Sequence, residues 1–302
     1  LESEGELRTL EGHAGWATAV ALTPDGKRAV SGSDDRTLKV WDLESKRELR
    51  TLEGHTDSVR AVALTPDGKR AVSSSSDRTL KVWDLESGRE LRTLEGHADS
   101  VRAVALTPDG KRAVSSSWDR TLKVWDLESG RELRTLEGHA DSVRAVALTP
   151  DGKRAVSGSL DQTLKVWNLE SGRELRTLEG HADGVTAVAL IPDGKRALSG
   201  SWDGTLKVWD LESGRELRTL EGHAGGVTAV TLTPDGKRAV SASGDRTIVV
   251  WELETGTLVA TFGADSEVRA CAAARDGVTF VAGDAQGCLH FLRLENASQP
   301  GA

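Results

Sequence analysis

Apolar residues in this chain come in short bursts and not at helical spacing. In ELRTLEGHADSVRAVALTPDGKRAVSSSWDRTLKVWDLESGR, residues 90–131, they fall at Leu91 and Leu94, in the run Val101 to Leu106, at Ala113 and Val114, and at Leu122, Val124 and Trp125. The pattern predicts strands over Leu91 to Leu94, Val101 to Leu106, Arg112 to Ser117 and Thr121 to Asp126. The Val101 run is apolar enough to predict burial on both of its faces. Polar punctuation separates the bursts. Pro108 sets φ at one corner and Gly110 supplies the positive φ that closes the turn, Trp118-Asp119-Arg120 makes the next turn, and Glu128-Ser129-Gly130 the last. The unit reads as four short antiparallel strands.

The same text returns every 42 residues. Gly-His recurs at Gly12-His13, Gly54-His55, Gly96-His97, Gly138-His139, Gly180-His181 and Gly222-His223, and a Trp closes each copy at Trp41, Trp83, Trp125, Trp167, Trp209 and Trp251. The copies run over about 6–47, 48–89, 90–131, 132–173, 174–215, 216–257 and 258–295, with a tail at 296–302. The seventh has lost Gly-His and carries Leu292 in place of the Trp. A fixed period of this size marks stacked supersecondary units, none of which can bury its apolar face alone. Residues 1–302 are therefore expected to form one closed domain, where length alone would suggest two.

Gly-His, then Ser-x-Ser-x-Asp, then a Trp, in six clean copies, the Trp followed by Asp in four of them and by Asn168 and Glu252 in the others, resembles the WD40-repeat family across about residues 6–295. The resemblance implies an all-β fold: a seven-bladed β-propeller of four-stranded antiparallel blades around a central channel. Glu6 to Leu10 has no blade of its own, and the seventh copy lacks a strand after Glu295. The N-terminal strand is expected to join the C-terminal blade and remove its exposed edge.

Each of the six copies also carries His, Ser and Asp at fixed spacing, the letters of a hydrolase triad. Repetition argues against catalysis, because a catalytic site needs one constellation in one pocket. A buried indole needs an acceptor for its N–H, and a hydroxyl, an imidazole and a carboxylate can satisfy one another in a closed chain. The resemblance implies such hydrogen-bonded tetrads at His13, Ser31, Asp35 and Trp41; His55, Ser73, Asp77 and Trp83; His97, Ser115, Asp119 and Trp125. The remaining three would be His139, Ser157, Asp161 and Trp167; His181, Ser199, Asp203 and Trp209; His223, Ser241, Asp245 and Trp251. The last copy has Ala282, Gln286 and Leu292 with no His, so no tetrad is expected there and that blade is expected to be the least rigid. His290 has no second ligand at a metal-like spacing, and the glycines sit in turns, not in a strand–loop–helix phosphate cradle. No metal or cofactor is expected.

Charge narrows the partner. A net charge of −8, with 28% charged residues in mixed order, argues against nucleic acid and anionic membranes. No apolar run approaches the roughly 18 residues of a membrane span, and the first residues lack signal-peptide character, which together predict a cytoplasmic protein. Cys271 and Cys288 fall on strands separated by a third, about 9–10 Å apart and beyond the ~7 Å bridging limit, so free thiols are expected. The chain has no Met and begins in mid-repeat, so further residues are expected upstream.

Differences among the copies point to the partner site. The residue before the turn Asp runs Asp34, Ser76, Trp118, Leu160, Trp202, Gly244, and the stretch after Gly-His carries Trp16 in the first copy. Nearby stand Thr18, Arg60, Arg102, Arg144, Thr186 and Thr228. These positions share one end of the strands, so Trp16, Arg60, Arg102, Trp118, Arg144, Leu160 and Trp202 are expected to form a rim that binds a protein or peptide of apolar and acidic character. Drift of duplicated turns is the competing account. A monomeric, non-catalytic interaction module is favoured over an enzyme with its site at the channel mouth and over a designed consensus ring, since the decayed last copy, with Phe262, Phe280 and Phe291, is not idealised. The near-identical repeats are similar to the C-terminal WD40 propellers of bacterial multidomain signalling proteins, which implies a scaffold or sensor within a longer chain.

Overall fold

The computed structural model describes residues 6–294; residues 1–5, Glu295 and the expected tail at 296–302 lie outside the described residues. Within them, 28 strands form seven four-stranded antiparallel sheets. Each sheet starts at the apolar run that follows Gly-His and ends on the first strand of the next copy, so the structural blade is the repeated text shifted by one strand. Blades 1 to 6 span residues 17–52, 59–94, 101–136, 143–178, 185–220 and 227–263. Blade 7 joins residues 268–293 to Glu6–Leu10, which pairs antiparallel with Leu289–Arg293 in the register Arg8 to Phe291, Thr9 to His290 and Leu10 to Leu289. The ring is closed by its own beginning, and the last blade presents no unpaired edge at that strand.

The hairpins form where the turn chemistry demands them. Gly110 takes φ 66° and donates its N–H to Thr107 O at 2.8 Å, closing the turn between the inner two strands of blade 3.

Apolar surface is buried between blades. Val114, Leu122, Val124 and Leu136 of blade 3 pack on Val143, Val146, Ala155, Trp167 and Leu169 of blade 4, and every junction except that between blades 6 and 7 repeats the arrangement. An indole removes about 150–250 Å² from water, which at ~25 cal/mol/Å² contributes at most about 4–6 kcal/mol per blade junction. The junction between blades 6 and 7 is built differently. Elsewhere a small Ala faces the Trp across the strand pair, as Ala113 faces Trp125; in blade 7 Phe280 faces Leu292. The aromatic ring has moved to the opposite strand, and with Phe262 it fills the space the missing Trp would leave.

The inner strands depart from the expectation of burial on both faces. Along Val101–Leu106 only Val101 and Val104 are buried, because this strand lines the central channel and turns alternate side chains toward it. Its apolar run reflects packing against two neighbouring blades, not enclosure.

Candidate functional site

The six His-Ser-Asp-Trp sets form unbroken hydrogen-bond chains. In every copy Trp Nε1 lies 2.8 Å from Ser Oγ. Ser Oγ lies 2.7 Å from His Nε2. His Nδ1 is 2.7 to 3.0 Å from Asp Oδ2. The proton order follows from the donors. An indole N–H can only donate, so Ser Oγ accepts it and gives its own proton to Nε2, which leaves Nδ1–H to donate to the carboxylate. The same Asp oxygen takes the backbone N–H after the His, as Ala98 N to Asp119 at 3.0 Å. Each chain thereby ties the linker entering a blade to the second and third strands of that blade.

Protonation follows the geometry. Burial disfavours the imidazolium and holds His13, His181 and His223 below the ordinary 6.5, with the Asp partner working in the opposite direction. For Asp77, Asp119 and Asp161 burial acts to raise the pKa, but hydrogen bonds from His and Thr outweigh it and hold the carboxyls far below the usual range. By the same balance Asp203 and Asp245 lie at about 2. The Ser Oγ of each set is buried against its Trp and cannot meet a substrate. Blade 7 replaces the tetrad by the buried Asp284, which accepts from His290 Nε2 at 3.0 Å and from the backbone of Gln286 and Cys288 at 2.9 Å.

The variable positions gather at one end of the strands. In every blade from 1 to 6 the residue before the turn Asp donates its N–H to the segment after Gly-His: Asp34 to Trp16, Ser76 to Ser58, Trp118 to Ser100, Leu160 to Ser142, Trp202 to Gly184 and Gly244 to Gly226. Trp16, Trp118 and Trp202 are 44%, 41% and 43% exposed there, in contrast to the buried tetrad indoles. The basic residues meet them from inside. Each inner strand bulges after its first residue, and the bulge position is Arg60, Arg102, Arg144 or Arg269 in blades 2, 3, 4 and 7 and Thr18, Thr186 or Thr228 in the others.

Three of these guanidiniums lie over the three exposed indoles. Arg102 stacks on Trp118 at 5.0 Å, Arg144 on Trp202 at 5.0 Å and Arg269 on Trp16 at 4.7 Å from ring centroid to Cζ. Arg60 instead binds Asp34 Oδ1 and Ser76 Oγ, each at 2.8 Å. Trp16, Trp202 and all four arginines line the mouth of a central cavity of about 320 Å³; Trp118 and Leu160 lie outside its lining, Trp118 being joined to it through Arg102.

Small residues stand beside the large ones. A Cβ on Gly226 would fall 2.9 Å from Trp202 Cδ1, and one on Gly184 would fall 2.6 Å from Leu160 Cδ2. Leu160 is half-buried over that junction.

Sequence reasoning missed Arg269. The last copy is one residue shorter before this strand, and aligning it on Cys271, as the partner of Val62, brings Arg269 opposite Arg60. It also missed the outer faces, where Lys39, Lys81, Lys123, Lys165 and Lys207 each bind a Glu of the outer strand at 2.7 to 2.8 Å. A Lys and a Glu nine residues apart in five copies were the available signal.

The profile of the family described as "WD domain, G-beta repeat" matches residues 5–42, 46–84, 88–126, 130–168, 172–210 and 214–252. This chain belongs to the WD40-repeat family. Short stretches of it are similar to fungal proteins. Over 37 residues it is 51% identical to nuclear distribution protein PAC1 of Scheffersomyces stipitis, and over 35 residues 54% identical to vegetative incompatibility protein HET-E-1 of Podospora anserina. It is 51% identical over 37 residues to nuclear distribution protein nudF 2 of Penicillium rubens. Each match takes 12% of this chain and 7%, 3% and 8% of those proteins, so the similarity is one repeat long. Residues 268–293, which supply three of the four strands of blade 7, lie outside the family matches, in keeping with the altered core of that blade. Neither Cys271 nor Cys288 is in a disulfide among the described residues, and burial pushes Cys271 up to about 12. No helix of the described residues is long and apolar enough to cross a membrane.

Proposed function

We propose that residues 1–302 form a single non-catalytic WD40 binding domain that holds a polypeptide partner on the rim bearing Trp16, Trp118 and Trp202. The observation that carries the reading is the pairing of each exposed indole with a guanidinium at the channel mouth. Aromatic and Arg side chains held rigid against each other offer contact area at low entropic cost, and they suit a partner with apolar and acidic side chains. The fit of Gly226 and Gly184 to Trp202 and Leu160 favours selection for these large residues over drift, since drift has no reason to enlarge one position and shrink its neighbour together. The ring acts as scaffold or sensor in the cytoplasm, as a monomer and as part of a longer signalling chain.

The test is affinity capture from a soluble lysate, followed by binding measurements with the recovered protein, for the parent and for a Trp118→Ala/Trp202→Ala variant whose melting is unchanged. A partner that binds the parent and not the variant supports the reading. Equal binding to both overturns it.

A further inference from the structure

Seven bulge positions ring the channel mouth, and most of their polar groups are already engaged. Thr18, Thr186 and Thr228 each donate a hydroxyl to the Val carbonyl of the next blade, that is to Val59, to Val227 at 2.5 Å and to Val268 at 2.6 Å. Arg60 is held by Asp34 and Ser76. Arg269 is bound to Glu267, yet its Nε is buried without a partner.

Arg102 and Arg144 are different. Both are half-buried, both lie on an indole face, and neither has a hydrogen-bond acceptor among the described residues. Their surroundings are cationic. Burial, then Arg144 and Arg60, push Arg102 down to about 8, and burial, then Arg60 and Arg269, push Arg144 to about 10, which leaves both charged at neutral pH. The residues lining the mouth include four guanidiniums and no carboxylate, and two of the four are ion-paired, Arg60 to Asp34 and Arg269 to Glu267, in a protein whose net charge is −8. The positive charge is local to the mouth and opposite in sign to the whole.

We propose that the channel mouth is an oxyanion site in which Arg102 and Arg144, assisted by Arg269, bind a phosphate dianion. Each guanidinium offers planar paired donors that fit two oxygens of a tetrahedral oxyanion, and a doubly charged ligand answers the excess of charge better than a single carboxylate. A cavity of about 320 Å³ admits such a group. The phosphate reaches the site either as a small free anion or as the phosphorylated side chain of a polypeptide. The site does not depend on the rim reading, because a free anion can fill it with no partner present.

The experiment is isothermal titration calorimetry at low salt with sodium pyrophosphate in one arm and, in the other, a phosphoserine peptide beside its unphosphorylated form. The parent is compared with Arg102→Gln/Arg144→Gln and with Arg112→Gln/Arg154→Gln, which removes the same charge from the opposite rim. Loss of roughly tenfold or more in affinity is expected in the first variant only, each charged hydrogen bond being a large contribution. Binding of pyrophosphate assigns a free anion, and binding of the phosphopeptide alone assigns a partner-borne phosphate. Binding of neither probe to the parent overturns the proposal, as does equal weakening in both variants, which would mean diffuse attraction. The substitutions relieve like-charge repulsion at the mouth but give up the stacking on Trp118 and Trp202, so the melting of each variant is measured beside its titration and affinities are compared at a temperature where both rings are folded.

Discussion

Ser115→Ala tests whether the buried tetrads hold the blades together. Among the described residues Ser115 Oγ is the only hydrogen-bond acceptor of Trp125 Nε1, at 2.8 Å, and it lies 2.7 Å from His97 Nε2. Removing it orphans a buried donor and a buried acceptor in one step while leaving almost no cavity. Each orphan costs about 1–3 kcal/mol, so the loss is about 2–6 kcal/mol. At about 2.1 cal/mol/K of unfolding entropy per residue, 302 residues give roughly 0.6 kcal/mol/K, and the melting temperature should drop by about 3–10 °C. Calorimetry and urea titration read this directly. A double variant, Ser115→Ala/Trp125→Phe, removes the orphaned indole N–H as well, so its loss should be smaller than the sum of the single losses, by about 1 kcal/mol of coupling. Melting of Ser115→Ala within 1 °C of the parent, or strict additivity in the double variant, would refute the tetrad as a stabilising device. Blade 7 shows the consistent alternative: with Ala282 and Leu292 the donor and its acceptor are lost together, and Phe280 fills the space.

Two other outcomes follow from buried polar groups. Ser74 and Ser116 are buried hydroxyls without a hydrogen-bond partner, at a position occupied by Gly32, Gly158, Gly200 and Ala242 in other blades. Ser74→Ala/Ser116→Ala should therefore raise the melting temperature by about 2–3 °C, roughly 1 kcal/mol for each unsatisfied group removed; a lower melting temperature would contradict the argument. Stability should also decline as pH falls below about 6.5, because His13, His181 and His223 bind protons more weakly in the folded ring than in the unfolded chain. A second loss should follow below about 3.8, as the carboxyls of Asp203 and Asp245, held at about 2 in the ring, gain protons on unfolding. Melting temperatures that stay flat between pH 7.5 and 5.5 would sink the assignment of neutral, buried imidazoles.

The sequence by itself determined the blade. Burst spacing, Pro108 and Gly110 at the turn, and the return of Gly-His and Trp every 42 residues give four short strands per copy and seven copies, because these depend on local periodicity and turn chemistry. It also determined that the first strand must close the last blade, since counting strands leaves one over at each end. The variable rim was legible too, as the positions at which identical copies differ. Tertiary structure decided what those positions do together. Which guanidinium lies over which indole depends on the rotation between neighbouring blades, and so Arg144 meets Trp202 of the next blade while Arg102 meets Trp118 of its own. That Arg102 and Arg144 have no acceptor among the described residues whereas Arg60 has two is likewise a matter of reach across a junction, on which a linear pattern carries no information. The inner strand makes the same point: its apolar run predicted enclosure, and only closure of the ring turned one of its faces to an open channel.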